Sequence, residues 1–301
     1  MHPAPAGLSA ALIQALKAEV GVDLGAAQIR PVGGGCIHRA HAVEVAGRCY
    51  FLKRNHAGAS LLFEAAAEGL AALAVCEAFR VPRVLAWGVA GEEAYLLLEF
   101  LPLHPLQGAE SGRRFARALA SLHQECGAVY GWGRDNFIGA TPQSNRQDED
   151  WARFFVECRL APQIQQARGA GCTGALGHEA DRLMARVPAL FLDYRPRPSL
   201  LHGDLWSGNA AMDDSGRPVI FDPAVYRGDR EADLAMTELF GGFPPAFYAE
   251  YRKAWPLDEG YEPRKTLYNL YHVLNHLNLF GAAYLGQAER MIRSLLSVLG
   301  G

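Results

Sequence analysis

HGDLWSGN at residues 202–209 is the most informative segment of the sequence, and it is followed by the mainly apolar segment VIFDPA at residues 219–224. Asp204 and Asn209 stand in the order D-x-x-x-x-N, which is the spacing of a catalytic loop for phosphoryl transfer. Asp222 follows three apolar residues that predict a buried strand. Phosphoryl transfer needs a carboxylate that accepts the proton of the attacking hydroxyl, and oxygen ligands that hold Mg2+. We therefore predict that Asp204 is the catalytic base and that Asn209 and Asp222 bind Mg2+.

Phosphate-binding groups are predicted upstream of this loop. Lys53 ends an alternating segment, and a lysine at the end of such a strand can reach the phosphates of a nucleotide. Between the first two predicted strands lie three glycines, Gly33, Gly34 and Gly35. Glycines let a backbone approach phosphate closely, although a glycine pair is also an ordinary hairpin turn. Cys36 is either a reactive thiol that would make activity redox-sensitive or a small buried residue.

The secondary-structure pattern divides the chain into two unequal parts. Strand signals dominate residues 27–100, and helical periods dominate from residue 111 onward. We predict an α+β fold, with a small antiparallel-sheet lobe over residues 1–101 and a larger helical lobe over residues 102–301. The last three residues of the first lobe are Glu99, Phe100 and Leu101. We expect the backbone of these three residues to bind adenine.

Composition excludes several classes of protein. The chain has 301 residues, with 29 Lys and Arg against 32 Asp and Glu, and this balance offers no basic face for nucleic acid. No apolar run approaches the roughly 20 residues of a membrane span, and the N-terminal segment lacks the features of a signal peptide. The cysteines have no paired spacing and are expected to be reduced. These features favour a cytoplasmic enzyme or binding protein without a nucleic-acid or membrane partner. We also expect the chain to be a monomer or weak dimer.

Taken together, the motifs resemble the fructosamine kinase or ketosamine-3-kinase family, relatives of aminoglycoside and choline kinases with a protein-kinase-like two-lobe fold. The segments that carry the resemblance are GGGCIH (33–38), FLK (51–53), HGDLWSGN (202–209), FDPAVYRGDREADLAM (221–236), FGGFP (240–244) and LYNLYHVLNHLNLFG (267–281). The resemblance implies ATP- and Mg2+-dependent phosphorylation of the sugar 3-hydroxyl of a ketosamine, either a small molecule or a glycated protein. Loss of the unstable phosphate ester would then free the amine, so the enzyme would serve in deglycation repair.

The same resemblance directs attention to acceptor-binding residues. The indole of Trp206, close to Asp204, can pack against a sugar or attract a substrate cation, and a buried core tryptophan is the alternative. His276 and Asn275 lie in an aromatic helix that either lines the acceptor pocket or holds satisfied polar groups between helices. Asp233 is interpreted as structural, a carboxylate early in a helix that supports the catalytic loop.

Two substitutions separate this sequence from the protein-kinase pattern. Gly203 stands where protein kinases carry the Arg of His-Arg-Asp, and Pro223-Ala224 replaces Phe-Gly after the metal-binding aspartate. Without that Arg there is no ready partner for an activation-loop phosphate. We therefore predict a site that is assembled without a phosphorylation switch.

The helix glutamate that pairs with the strand lysine is also displaced. Its expected position is Ala66, and Glu64 and Glu68 lie two residues to either side, about 200° around the helix. Either the helix presents Glu64 or Glu68 to Lys53, or another group positions the lysine. A kinase of the same fold with an aminoglycoside or choline-type acceptor, and a nucleotide-binding pseudokinase scaffold, therefore stay open as alternatives.

Overall fold

The computed structural model of the chain describes residues 7–33 and 38–300. The helices are α1 (Ala10–Val20), α2 (Ser60–Leu73), α3 (Ala109–Gln124), α4 (Trp151–Phe155), α5 (Ala161–Gly169), α6 (Ala175–His178), α7 (Ala180–Arg186), α8 (Glu231–Leu239), α9 (Pro245–Ala254), α10 (Tyr261–Phe280) and α11 (Leu285–Val298). The strands are β1 (Gln28–Pro31), β2 (Arg39–Val45), β3 (Arg48–His56), β4 (Val84–Ala90), β5 (Glu93–Glu99), β6 (His104–Pro105), β7 (Asn136–Ile138), β8 (Thr141–Gln143), β9 (Ser199–Leu201), β10 (Ala210–Met212), β11 (Pro218–Ile220) and β12 (Tyr226–Gly228). The predicted α+β class is confirmed.

The chain forms two compact units. The first contains the chain up to His104 together with Ala211–Asp222, and the second contains Pro105–Ala210 and the chain from Pro223 onward. Residues 211–222 therefore belong to the first unit and not to the helical lobe that the sequence predicts for them. Their place in the first unit has a physical cause, because Val219 forms a parallel bridge with Arg80 and packs with Leu101 in a small apolar cluster.

The first unit is built on a five-stranded antiparallel sheet in the order β1–β2–β3–β5–β4. Successive side chains of a strand point to opposite faces. Leu97 therefore packs with Leu16 of α1 on one face, whereas Leu96 packs with Phe63 of α2 on the other. Lys53 of β3 lies directly opposite Leu96 in the register, and residues opposite each other share a face. The lysine is thus on the side of the sheet that α2 covers.

A tight hairpin at residues 46 and 47 joins β2 to β3 and sets this register. Only Ala46 and Gly47 connect the two strands, and both have positive φ angles, 48° and 72°. Two-residue loops of this conformation match the right-handed twist of the strands. Because a one-residue slip would move every side chain of β3 to the other face, the hairpin decides where Lys53 points.

The second unit is mainly helical and is organised around α10. Leu270 and Leu274 of this helix are fully buried in a core that includes residues from α4, α5, α8 and α11. A two-stranded ribbon pairs β9 with β12, with Leu201 opposite Tyr226. The loop of residues 202–209 leaves β9 at this point, so the ribbon fixes its base. None of the helices in the described part of the chain combines the length and apolarity that a membrane span requires.

Candidate active site

The backbone of the predicted catalytic loop, residues 202–209, is held by the carboxylate of Asp233 at the start of α8. One oxygen of Asp233 accepts a hydrogen bond from the His202 N–H at 2.8 Å, and the other accepts one from the Gly203 N–H at 2.9 Å. Burial opposes ionisation, but hydrogen bonds from His123 and the loop hold the pKa of Asp233 below its ordinary value. Burial lowers the pKa of His123, so the pair consists of a neutral imidazole and a carboxylate. Asp233 therefore supports the loop, as expected from the sequence.

Gly203 is required by the path of this loop. Its φ of +82° is in the left-handed region, and a Cβ at this position would lie 2.0 Å from the carbonyl oxygen of Ala224. The Ala224 N–H in turn donates to the His202 carbonyl at 2.9 Å. A side chain here would break that close approach, which explains physically why no Arg occupies the position.

Asp204 and Asn209 contact each other within the second unit. The Nδ2 of Asn209 donates to the backbone carbonyl of Asp204 at 2.9 Å and to its carboxylate Oδ2 at 3.2 Å. Asn209 is buried and ends a short 3-10 turn, Ser207–Asn209, whereas Asp204 is half-buried. The amide thus orients the predicted base. With its nitrogen engaged in this way, the atom of Asn209 suited to a cation is Oδ1.

Lys53 and Asp222 form an ion pair within the first unit. Lys53 is only 9% exposed, and a buried ammonium needs a partner to offset its lost hydration. Asp222 has a positive φ of 56°, a strained conformation for a non-glycine residue that is often found at functional sites. The structure thus brings together the predicted phosphate-binding lysine and one predicted metal ligand. The pairing of Lys53 with Glu64 or Glu68 stays a prediction.

His38 lies near this ion pair, and the sequence analysis gave it no role. Its Nδ1 is 2.9 Å from the Nδ2 of Asn55, whose Oδ1 accepts the His56 N–H. Because that contact fixes the Asn55 amide, Nδ2 is the donor and the ring proton of His38 is on Nε2. Burial and the charge of Lys53 lower the pKa of His38 to about 4. The ring of His38 is therefore a neutral imidazole whose Nε2 carries the proton. The only hint of this residue in the sequence was its position immediately before β2.

The predicted adenine-binding segment continues from β5. The Glu99 N–H donates to the Arg83 carbonyl at 3.0 Å, and the Glu99 carboxylate accepts the Arg83 N–H at 3.1 Å. Leu101 is 8% exposed and packs with Val219, while Phe100 is half-buried. The Glu99 side chain therefore holds the end of the strand, and contact with adenine through the backbone stays a prediction.

The glycine stretch is described only in part. Gly33 is exposed and lies two residues after the end of β1, and none of the described residues comes within 4 Å of a Cβ built on it. The predictions made for Gly34, Gly35 and Cys36 fall outside the described residues. Their phosphate-binding and redox roles therefore stay predictions.

Trp206 lies in the catalytic loop and is half-buried, so it is not a core tryptophan. Its six-membered ring covers Gly208, where a Cβ would lie 2.3 Å from the indole Cη2. A larger residue at position 208 would displace the indole. The indole of Trp206 is therefore packed against the backbone of Gly208 in the same loop. A role of Trp206 in substrate binding stays a prediction.

His276 is partly enclosed by aromatic rings on the second unit. Its ring centroid is 4.7 Å from that of Phe240, 5.3 Å from Phe280 and 5.2 Å from Tyr284. The Nδ1 is 2.9 Å from the His272 carbonyl, so Nδ1 carries the proton and Nε2 is an acceptor. Burial lowers the pKa of His276 although this hydrogen bond opposes the shift. A neutral acceptor in an aromatic surrounding suits a sugar hydroxyl.

Asn275, the neighbour of His276, has a simpler explanation. It is 3% exposed, and its Oδ1 accepts a hydrogen bond from the Nε2 of Gln163 at 3.3 Å. This is the satisfied polar contact between helices that the sequence analysis gave as the alternative. Asn275 therefore has a structural role.

A magnesium ion fits the chemistry of the predicted ligands. Magnesium prefers oxygen donors and takes much of its coordination from water and substrate phosphates, so one carboxylate and one amide oxygen suffice. Within residues 7–33 and 38–300 there is no group of three or more His, Cys, Asp or Glu side chains that would hold a metal by itself. Asp222 in the first unit and Asn209 in the second each offer an oxygen of the kind that Mg2+ binds, and their joint binding of one ion stays a prediction.

Comparison with known proteins gives a consistent result. A family model for fructosamine kinase matches residues 8–298. The "Probable ketoamine kinase" of Synechocystis sp. is 46% identical over 272 residues, covering 89% of this chain and 90% of that protein. The chloroplastic protein-ribulosamine 3-kinase of Arabidopsis thaliana is 39% identical over 280 residues, covering 90% of this chain and 83% of that protein.

Solved structures extend the comparison. A crystal structure of a "Putative fructosamine-3-kinase" from Haemophilus somnus has a TM-score of 0.86 at 30% identity, covering 95% of this chain and 97% of that one. An aminoglycoside phosphotransferase in ternary complex with ADP and hygromycin B has a TM-score of 0.66 at 16% identity, covering 97% and 99%. At that identity the likeness concerns the fold alone. The predicted protein-kinase-like fold is confirmed.

Proposed function

This chain belongs to the fructosamine kinase family and is a kinase, and from that premise we propose that it phosphorylates the sugar 3-hydroxyl of a ketosamine with ATP. Relatives named ketoamine kinase and protein-ribulosamine 3-kinase support the acceptor class. The observation that carries the proposal is the Asp204–Asn209 pair in a loop whose backbone Asp233 holds. The unstable phosphate ester then breaks down and releases the amine, so that the reaction removes sugar from a glycated amine.

The proposed reaction begins at Asp204. Its carboxylate accepts the proton of the sugar 3-hydroxyl as the oxygen attacks the γ-phosphorus of ATP. A bond forms between that oxygen and phosphorus, the bond from phosphorus to the β-phosphate oxygen breaks, and ADP leaves. Asn209 keeps the carboxylate oriented through its Nδ2. Since the Asp233 carboxylate fixes the preceding backbone, the base needs no rearrangement before the reaction.

Four groups are proposed to act on the nucleotide and its metal ion. Lys53 would bind the phosphates of ATP, and the backbone of Glu99, Phe100 and Leu101 would bind adenine. Asn209 and Asp222 would hold Mg2+, which neutralises charge on the phosphates when bound. The neutral Nε2–H of His38 offers a further hydrogen-bond donor near Lys53.

Trp206 and His276 are proposed to bind the acceptor. The indole would cover the apolar face of the sugar, and the Nε2 of His276 would accept a hydrogen bond from a sugar hydroxyl. Both a small ketosamine and a glycated protein are compatible with these contacts. An acceptor of the aminoglycoside or choline type, and a nucleotide-binding scaffold without turnover, are the competing proposals.

Purified protein assayed for acceptor-dependent ADP release tests these proposals. We expect turnover with a ribulosamine or fructosamine, none with choline or an aminoglycoside, and loss of turnover in Asp204→Asn. Asp214→Asn is a matched control, because Asp214 is exposed and pairs with His104. Nucleotide binding without turnover on any acceptor would support the scaffold instead, and full activity of Asp204→Asn would exclude Asp204 as the base.

A further inference from the structure

A fully buried guanidinium in the second unit has no part in the chemistry described so far. Arg159 is 0% exposed and lies in the π-helical turn Val156–Leu160 that joins α4 to α5. Such turns are rare and often occur at functional sites. Its Nη1 donates to the Ser144 and Cys158 carbonyls and its Nη2 donates to the Asn145 Oδ1 at 2.7 Å, while Nε has no partner. The acceptors of these hydrogen bonds are neutral carbonyl and amide oxygens.

Arg159 contacts an aromatic ring that touches the catalytic loop. The Cζ of Arg159 is 4.0 Å from the centroid of the Tyr226 ring, a cation–π distance. The same ring lies next to Gly203, where a Cβ built on the glycine would be 3.3 Å from the Tyr226 Cε1. Tyr226 also pairs with Leu201 in the ribbon from which the loop leaves. One tyrosine thus connects the buried cation to the residue immediately before Asp204.

A second connection consists of buried amides. Asn145, which accepts from Arg159, donates from its Nδ2 to the Asn136 Oδ1 at 2.8 Å. Asn136 donates to the Val225 carbonyl at 2.7 Å, and Gln143 donates to the Ala224 carbonyl at 3.2 Å. Ala224 is the residue whose carbonyl approaches Gly203 closely. The amides therefore fix the backbone of Ala224 and Val225, opposite Gly203.

The charges of Arg159 and Asp204 both influence the pKa of a third residue, Tyr271. Burial raises the pKa of Tyr271, the charge of Arg159 lowers it, and the charge of Asp204 raises it. The Tyr271 hydroxyl donates to the Oε1 of Gln143 at 2.7 Å, which places it in the same chain of amides. Arg159 and Asp204 thus act on one phenol from within the same unit.

From these contacts we infer that Arg159 is a positioning residue for Asp204, acting through the Tyr226 ring and the buried amides on the Gly203–Ala224 contact. This inference rests on the proposed function, because it takes Asp204 as the catalytic base. Well-packed apolar side chains often stabilise a core as well as a buried charge does. Packing alone therefore gives no reason for a buried guanidinium whose hydrogen-bond acceptors are all neutral. A planar cation against Tyr226, by contrast, fixes the ring that supports the loop.

The test compares Arg159→Met, Arg159→Lys, Tyr226→Leu and the double variant Arg159→Met/Tyr226→Leu. We expect Arg159→Met to lower kcat by between about tenfold and a hundredfold while KM for ATP stays within twofold. Arg159→Lys should recover part of kcat. The double variant should lose no more than the worse single variant, because both changes remove one interaction. Hydrogen exchange at the backbone amides of residues 202–204 should become faster in each.

Ile164→Ala is the matched control for lost stability, because Ile164 is buried in the same core on the following helix, α5. It should lower the melting temperature without changing kcat or loop exchange. Should Arg159→Met not fold, Arg159→Lys decides the question. The inference would be overturned if Arg159→Lys had the kcat and the loop hydrogen exchange of the wild type. It would also be overturned if the fold-losses of kcat in the two single variants multiplied in the double variant. Turnover by Asp204→Asn would reject the proposed function itself. An inactive Asp204→Asn together with an Arg159 variant that behaves as wild type would reject only the role of Arg159.

Discussion

Asn209 donates from one amide nitrogen to both the backbone carbonyl and the carboxylate of Asp204. This contact fixes the carboxylate and identifies Oδ1 as the asparagine atom that would bind a cation. We expect Asn209→Ala to lower kcat by about a hundredfold and to raise the Mg2+ concentration needed for half-maximal activity. Titration of activity with Mg2+ checks this. An unchanged Mg2+ dependence would remove Asn209 from the metal site.

The tight approach at Gly203 gives a second prediction. Gly203→Ala should lower kcat by about a hundredfold, because the new Cβ meets the Ala224 carbonyl and displaces the loop. Gly21→Ala is the control, since Gly21 also has a positive φ, +70°, but open space around it. The control should lose only about 1 kcal/mol of folding stability and keep its kcat. Denaturant unfolding and steady-state kinetics, measured on both variants, separate backbone strain from the steric clash.

The Lys53–Asp222 pair predicts an effect on nucleotide use. Lys53→Met should lower kcat/KM for ATP by about a hundredfold, because it removes the cation that would face the phosphates. Lys53→Arg should recover only part, since a planar guanidinium does not replace a compact ammonium. The measurement is kcat/KM at varied ATP and saturating acceptor. Equal values in wild type and Lys53→Met would contradict phosphate binding by this residue.

A buried histidine predicts sensitivity of the fold to acid. Burial, together with the neighbouring His276, lowers the pKa of His272 from an ordinary value of 6.5 to about 3. Above pH 6.5 the His272 ring is neutral in both the folded and the unfolded chain. Below pH 6.5 the ring is protonated in the unfolded chain but stays neutral in the folded chain, so the free energy of unfolding decreases as the pH drops toward 3. Between pH 7 and pH 5 the wild type should lose about 2 kcal/mol more than His272→Phe.

Denaturant unfolding at the two pH values measures that difference directly. His56→Phe is the control, because His56 is exposed, and it should show the pH dependence of the wild type. Parallel stability curves for His272→Phe and wild type would show that His272 does not titrate on unfolding.

Features that depend on neighbours in the chain could be predicted from the sequence. The spacing of Asp204 and Asn209 lies within one short loop, and their contact follows from it. The hairpin at Gly47 and the alternation along β3 likewise place Lys53 on a definite face. Local backbone geometry repeats with a fixed period, so such arrangements can be derived without knowledge of distant residues.

Contacts between residues far apart in the chain required the tertiary structure. Sequence alone assigned residues 211–222 to the helical part, but the bridge between Arg80 and Val219 places them in the first unit. The neutral state of His38 depends on its burial and on Lys53. Both properties depend on which distant segments pack together and exclude water, and a local sequence pattern does not contain that information.

Local sequence patterns were enough to predict the fold class, a catalytic role for residues 202–209 and the residue types that phosphoryl transfer needs. The support of the loop backbone by the Asp233 carboxylate, and the position of Arg159 against Tyr226, became visible only in the folded chain. A residue's chemistry belongs to its side chain, whereas its charge state, orientation and partners are set by burial among groups that folding brings together.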